Sequence, residues 1–328
     1  MPDGDTTRQG RTLRTPRALR EAGLLRPEAE AEAEAVAQRF AISVTDHVAG
    51  LIDPADPADP IARQYVPDGA ELLVAPHEVE DPTADGPFTP VKGVVHRYPD
   101  RALLKPLLAC PVYCRFCFRR EVVGPDGGLL PPEALETALQ WFESATTVRE
   151  AILTGGDPLM LSPRRLGAIL RRLSAIPHLD TLRIHSRVPV ADPGRIDAAM
   201  LEALDVDKPV FLAVHANHAR EFAPEAVAAL ARLARAGIPL LGQSVLLREV
   251  NDSAQALEDL FRAMLRARVK PYYLHALDPA PGTARFAVPD AEGLALLQSL
   301  RGRIPGLAIP AFVRELPDGG GKRPLGAG

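Results

Sequence analysis

Short apolar runs recur along the middle of this chain, and they set its architecture. They fall at Ala102–Leu104, Ala151–Leu153, Leu182–Ile184, Val210–Val214, Pro239–Leu241 and Tyr272–Leu274. From the second run onward the spacing settles near about 30 residues, the length of a βα unit. The stretches between carry apolar residues at helical spacing. Ser162-Pro163 reads as an N-cap and first-turn proline, followed by Leu166, Ile169, Leu170 and Leu173 on one face. Pro224 opens a second such stretch with Val227, Leu230 and Leu233 inside and Gly237 as its stop. Asp252 or Ser253 caps a third, with Leu257, Leu260, Phe261 and Met264. Six strands alternating with helices predict an α/β fold, a parallel sheet curled into a partial (β/α)6 barrel.

Outside this region the pattern changes. Thr15 to Leu51 reads as helical, most clearly over Pro27 to Phe40, while the polar N-terminus from Met1 to Arg17 reads as frayed. Asp53 to Pro60 (DPADPADP) is a proline-punctuated turn segment. The expected division is a mainly helical N-terminal appendage (1–95), a barrel core (96–305) and a short C-terminal segment (306–328).

Composition narrows the class. Hydrophobic residues make up 46% of 328, ample for a core, and a formal charge of −4 gives no bulk attraction to nucleic acid or membrane. No apolar stretch has the length of a membrane span, and no leader is evident. All three cysteines stand in one cluster, which argues against disulfides and for a reducing, cytoplasmic setting.

That cluster, Cys110-Pro-Val-Tyr-Cys114-Arg-Phe-Cys117, carries the chemistry. Three thiolates in eight residues suit a soft-metal site or, more blandly, a loop of structural cysteines. Zinc normally takes four ligands, and no histidine lies nearby. Three thiolates can hold three irons of a [4Fe–4S] cluster and leave the fourth open. This spacing resembles the radical S-adenosylmethionine (SAM) superfamily, in which the open iron binds SAM and electron transfer cleaves it to a 5′-deoxyadenosyl radical.

Each later strand ends in polar residues: Thr154-Gly155-Gly156-Asp157, His185-Ser186-Arg187, His215-Ala-Asn-His218, Gln243-Ser244 and His275 to Asp278. Barrel active sites form at the carboxyl ends of strands. Gly155, Gly156, Asp157, Ser186 and His215 are therefore candidate cofactor contacts, although paired glycines also suit a tight turn. Asp278 and Glu315 are either surface charges or, if both face the mouth, a site for an ammonium group. Arg119 or Arg120 can bind a carboxylate or be a solvated loop charge. Lys322, in Asp318-Gly-Gly-Gly-Lys322, is either part of a flexible tail or a Schiff-base lysine on a glycine strap.

From His96 to Pro324 the chain resembles the lysine 2,3-aminomutases, through HRYPDRALL, CPVYCRFCFRR, LTGGDPLM, RIHSRVPV, HANHAREF, QSVLLREVND, PYYLHALD and PDGGGK. The resemblance implies a [4Fe–4S] cluster, SAM and pyridoxal 5′-phosphate (PLP), and isomerisation of L-α-lysine to β-lysine. It implies that Cys110, Cys114 and Cys117 hold the cluster and that Lys322 holds PLP. It places Tyr98, Arg101 and Gln243 near PLP, Arg119 on the substrate carboxylate, and Asp278 with Glu315 on the substrate ammonium. An electron donor such as flavodoxin or ferredoxin follows from the same resemblance. The extra cysteines of a structural zinc and the long C-terminal extension of the free-lysine enzymes are missing, so neither that zinc nor their tetramer is expected. His275 in place of a tyrosine, and Glu315 in place of an aspartate, resemble the branch that supplies (R)-β-lysine for elongation factor P. PDGGGK is closer to the free-lysine enzymes, which leaves the subfamily open. The acid pair disfavours a glutamate mutase, whose side-chain carboxylate it would repel.

Overall fold

Each apolar run of the sequence becomes a strand, and three further strands join them. The computed structural model describes residues 12–124, 127–317 and 321–326. Most of the N-terminal stretch expected to be frayed, residues 1–11, lies outside these, as do Asp318 to Gly320 of the glycine strap. The chain begins with short helices α1 (Pro16–Glu21), α2 (Glu30–Ala37), α3 (Asp46–Ala49) and α4 (Pro60–Tyr65). The sheet then runs β1 (Val94–Tyr98), β2 (Arg101–Leu107), β3 (Glu150–Gly155), β4 (Thr181–Ser186), β5 (Val210–His215), β6 (Leu240–Val245), β7 (Lys270–His275), β8 (Ala311–Leu316) and β9 (Gly321–Pro324). Helices α5 (Pro132–Ser144) and α6 (Pro163–Ser174) follow β2 and β3. After β4 come α7 (Val188–Ala191) and α8 (Ala198–Leu204). Then α9 (Pro224–Arg235), α10 (Ala254–Arg266) and α11 (Asp290–Leu300) follow β5, β6 and β7.

The nine strands form one sheet in chain order. β2 to β8 pair in parallel, so the six expected parallel strands are seven, and β1 and β9 add antiparallel edges. The sheet curls into a nearly closed barrel. Its two edges meet through side chains: Arg97 of β1 reaches Glu315 of β8 at 2.7 Å, and the Lys322 backbone N–H of β9 donates to the Tyr98 hydroxyl of β1.

The helices form where the sequence signals placed them. Ser162 Oγ accepts from the Arg165 N–H at 3.4 Å and starts α6. Leu166, Ile169, Leu170 and Leu173 are all buried on the sheet, each worth about 2 kcal/mol of burial. Gly237, just past α9, has φ +82°, a left-handed turn that favours glycine. Ser253, not Asp252, caps α10, accepting from the Ala256 N–H at 3.1 Å. The region read as helical from Thr15 to Leu51 is broken instead, because an isolated bridge between Leu13 and Val44 interrupts it. In the DPADPADP segment, Asp53 and Asp56 close Asx turns and Asp59 caps α4.

The N-terminal stretch packs onto the cysteine loop. Its apolar residues form a cluster with Val112. Glu71 is fully buried and takes three contacts from Arg115, at 2.5 to 2.9 Å, and a shorter one from Arg120. Arg120 is thus a structural residue, which removes it as a candidate carboxylate binder. Arg115 also donates to the Ala41 carbonyl at 2.7 Å, and the Arg115 N–H donates to the Gln64 carbonyl at 2.8 Å. Breaking a buried ion pair by removing one partner leaves uncompensated charge and costs about 3–5 kcal/mol. Glu71→Gln should therefore lower the denaturant midpoint by that order and reduce iron incorporation, measured by chemical unfolding and iron content. A midpoint equal to the parent would mean that Glu71 does not hold the loop.

Candidate active site

β2 leads directly into the cysteine loop, at the carboxyl end of the sheet. The loop lies against the β3 turn so closely that side chains are excluded. A Cβ at Gly156 would stand 2.3 Å from the Ala109 carbonyl oxygen, and one at Gly155 (φ +108°) would stand 2.7 Å from that of Leu107. The paired glycines thus admit the cysteine loop's own backbone, and the Gly156 and Asp157 N–H groups donate to it at 2.9 and 2.8 Å. The Asp157 carboxylate accepts from the backbone N–H groups of Leu159, Arg187 and Val188, tying the β3 and β4 turns together.

A cavity of about 460 Å³ opens over these turns, within the usual range for cofactor sites. Every site residue expected from the sequence lines it: Cys110, Cys114 and Cys117; Gly155, Gly156, Asp157, Ser186, His215 and Gln243; Tyr98, Arg101 and Arg119; Asp278, Glu315 and Lys322. The three thiols are free, and burial raises the pKa of each, with Cys117 pushed up to about 11 by burial and then by Cys114. Among the described residues no three His, Cys, Asp or Glu side chains converge as ligands of a single ion. A cubane asks for something different, one thiolate on each of three irons, and three thiols on one buried loop fit that donor set.

Charged groups converge at the barrel seam. Lys322 Nζ lies 2.8 Å from Glu315 Oε2, and Glu315 Oε1 takes Arg97 at 2.7 Å. Asp278 has no such partner. Burial, and then the Glu315 charge, raise its pKa to about 6. Tyr98 braces this corner: its ring lies 3.7 Å beneath the Arg101 guanidinium, and a Cβ at Gly321 (φ +66°) would strike it at 2.3 Å. The three histidines of the strand ends are driven toward the neutral form, chiefly by burial, with His215 at about 3 and His185 and His275 also low.

Several buried donors in the cavity have no partner: Nε of Arg97, Arg119 and Arg183, Nε2 of His185, and the Gln243 amide nitrogen. A surplus of N–H groups around Arg101 and Arg183, beside a lysine amine, fits an anionic aldehyde cofactor such as PLP.

Sequence reasoning missed Asp85. This carboxylate, in the loop before β1, meets Arg119 at 3.0 Å, Arg97 at 3.3 Å and Lys105 at 3.4 Å. Burial opposes its ionisation, but Arg119 and Lys105 outweigh it and hold the pKa at about 2. The contact uses one Arg119 nitrogen and leaves Nε free, so Asp85 orients the guanidinium without exhausting it. Arg97, Arg183 and the Tyr272–Tyr273 hydroxyl pair (2.9 Å) also line the cavity and went unnoticed. The inward-facing alternation of β1 and β4 was the signal available for Arg97 and Arg183, whereas the adjacent Tyr272 and Tyr273 both reach the cavity because the β6–β7 register slips by one residue there.

The sequence profile of the Radical SAM superfamily matches residues 104–261. The chain is 39% identical over 302 residues to the L-lysine 2,3-aminomutase of Clostridium subterminale, covering 91% of this chain and 73% of that one. It is 38% identical over 287 residues to the L-lysine 2,3-aminomutase of Escherichia coli strain K12, covering 87% and 83%. It is also 33% identical over 290 residues to the glutamate 2,3-aminomutase of Clostridioides difficile strain 630, covering 88% and 68%. Overall identity separates the lysine from the glutamate enzymes only slightly, so substrate choice has to be argued from the cavity. Among the described residues no helix is long and apolar enough to cross a membrane.

The Asp278 environment gives a stability test. A carboxyl whose native pKa exceeds its unfolded value stabilises the fold at low pH, and that contribution is lost as pH rises through the native pKa, here from about 4 to about 6. Asp278→Asn removes the loss. At pH 7 it should be more stable than the parent by about 3 kcal/mol, with the difference vanishing near pH 4. Parallel denaturation curves at both pH values would contradict the raised pKa.

Proposed function

The chain belongs to the lysine 2,3-aminomutase family of radical SAM enzymes, and on that footing we propose that it converts L-α-lysine to β-lysine. The observation that carries the substrate is the pairing of an unpartnered Asp278 with Glu315 in one cavity with Lys322 and the cysteine loop. In this reading Cys110, Cys114 and Cys117 hold a [4Fe–4S] cluster, and Lys322 carries PLP. Tyr98, Arg101 and Gln243 line its seat. When bound, the cluster with SAM supplies a hydrogen-abstracting radical, and PLP supplies the delocalisation that lets nitrogen pass between C2 and C3.

The protein's own part is placement, charge and exclusion of water. Arg119, oriented by Asp85, offers its free Nε to the α-carboxylate of lysine. Asp278 and Glu315 receive the ε-ammonium. With PLP held on Lys322, the Glu315 Oε2 that now meets that amine would be open to the substrate, while Oε1 stays on Arg97. The arriving ammonium favours the ionised form of Asp278, so lysine binding releases a proton and tightens as pH rises through about 6. A glutamate side chain would bring a third carboxylate to the same corner and meet repulsion instead. Gly155, Gly156, Ser186 and His215 border the SAM side, where neutral histidines add no competing charge. Burial of the cavity keeps a carbon radical from solvent.

His275 and Glu315 support the (R)-β-lysine branch that serves elongation factor P. An electron donor of the flavodoxin or ferredoxin type and a cytoplasmic setting accompany that proposal.

An anaerobic assay with lysine, SAM, PLP and dithionite, read by chiral chromatography, tests the reading. (R)-β-lysine is expected. (S)-β-lysine would move the chain to the free-lysine branch, and release of 5′-deoxyadenosine without β-lysine would overturn the substrate. Lys322→Ala should lose the PLP–lysine absorbance and at least about a thousandfold in turnover, with iron content unchanged. Retained turnover would remove Lys322 from its role.

A further inference from the structure

Arg187, the residue after β4, is buried (8% exposed) and held through its backbone N–H and both terminal guanidinium nitrogens, with Nε unpaired. Its backbone N–H donates to Asp157 at 2.7 Å. One guanidinium nitrogen donates to Glu221 at 2.9 Å and to the Gln64 side-chain oxygen of α4 at 3.0 Å. The other points at Cys114 Sγ, 3.2 Å away. Among the described residues, Cys114 is the one cysteine whose sulfur takes a side-chain donor. Glu221 is itself anchored by the backbone N–H groups of Asn217 and His218 at 2.7 and 2.9 Å and by the Tyr65 hydroxyl at 3.3 Å. The substrate steps make no use of this group. A guanidinium is always charged and has a fixed fork, so with Glu221 and Gln64 on one prong its remaining N–H groups are aimed, not merely nearby.

We infer that Arg187 is a positioning residue that, acting through Cys114, raises the reduction potential of the cluster, and that Glu221 trims its effect. An N–H donor and a positive charge at a cluster sulfur stabilise the state carrying the extra electron, so they raise the potential. A buried cluster with three thiolates and no such charge is hard to reduce, and one-electron reduction must precede SAM cleavage. Gln64 and Tyr65 extend the device into the N-terminal stretch, so α4 helps set the electronics of a loop about fifty residues downstream.

This inference rests on the assignment of the three cysteines to a [4Fe–4S] cluster. The test is an EPR-monitored redox titration of the reconstituted protein with dithionite, without SAM. The double variant Arg187→Gln/Glu221→Gln removes both charges and should shift the midpoint to more negative potential. Glu221→Gln alone leaves the guanidinium uncompensated and should shift it to more positive potential. A general loosening of the fold would not move two variants in opposite directions. Arg187→Gln alone should shift furthest negative, because Glu221 then faces the cluster unpaired; if that variant fails to fold, the other two still decide. Coincident midpoints in parent, double variant and Glu221→Gln would overturn the inference. A parent protein that assembles no [4Fe–4S] signal would overturn the cluster assignment instead.

Discussion

A single buried carboxylate, Glu71, holds the cysteine loop in shape. It lies outside the barrel, in a stretch with little regular structure, yet it pairs with both Arg115 and Arg120, which flank Cys117. Neither arginine has any exposure, so without Glu71 two charges would sit in a low-dielectric interior. The loop lies outside the sheet, and Val112, Tyr113 and Phe116 pack into clusters away from the main core, while its backbone is tied to Ser43 and Gln64 of the N-terminal stretch. Charge pairing therefore works together with these contacts to shape it. The N-terminal stretch is in this sense part of the site, although the barrel carries nearly all the lining residues.

A second constraint acts at the seam of the barrel. The antiparallel edges β1 and β9 are joined by Arg97–Glu315 and by Tyr98 to the Lys322 backbone. These contacts place Lys322 over the cavity and bring Glu315 beside Asp278. The same seam imposes glycine at position 321, since any side chain there would enter the Tyr98 ring. Closing the barrel and positioning the amine are one structural event.

Six of the parallel strands were legible because each carries a short apolar run: Ala151–Leu153 in β3 and Leu212–Val214 in β5 are buried throughout, and in β4 the buried Leu182 and Ile184 alternate around Arg183. β1 was hidden because its Val-Val start gives way to His96-Arg97-Tyr98, and β9 because Gly-Lys-Arg-Pro has no apolar pattern and pairs through its backbone. β8 has only Ala311, Phe312 and Val313 before its polar half, and its place as a seventh parallel strand depends on β7 beside it. Asp85 illustrates the limit most sharply. Its local sequence, Asp81-Pro-Thr-Ala-Asp85-Gly, reads as a turn, and it is one: Asp81 accepts from the Asp85 and Gly86 N–H groups at 2.9 and 3.0 Å. Nothing within that turn reveals that it delivers a carboxylate to an arginine 34 residues away. Lys322 was ambiguous for the same reason until its motif was matched, since a lysine among glycines has no local signature of burial.

The charges of the cavity explain what it lacks. Asp85 is matched by Arg97, Lys105 and Arg119, and Glu315 by Arg97 and Lys322. The histidines stay neutral. Among the described residues, what remains is an Asp278 carboxyl without an ion-pair partner and a set of unpaired buried nitrogens on Arg97, Arg119, Arg183, Arg187, His185 and Gln243. An occupant that satisfies both must bring a cation to Asp278 and anions to the unpaired nitrogens. In the proposed function a diamino acid would bring the cation and one carboxylate, and a phosphorylated aldehyde on Lys322 would bring the second anion. The unmet hydrogen bonds are thus compatible with the proposed pairing of an amino acid and a carbonyl cofactor in one cavity.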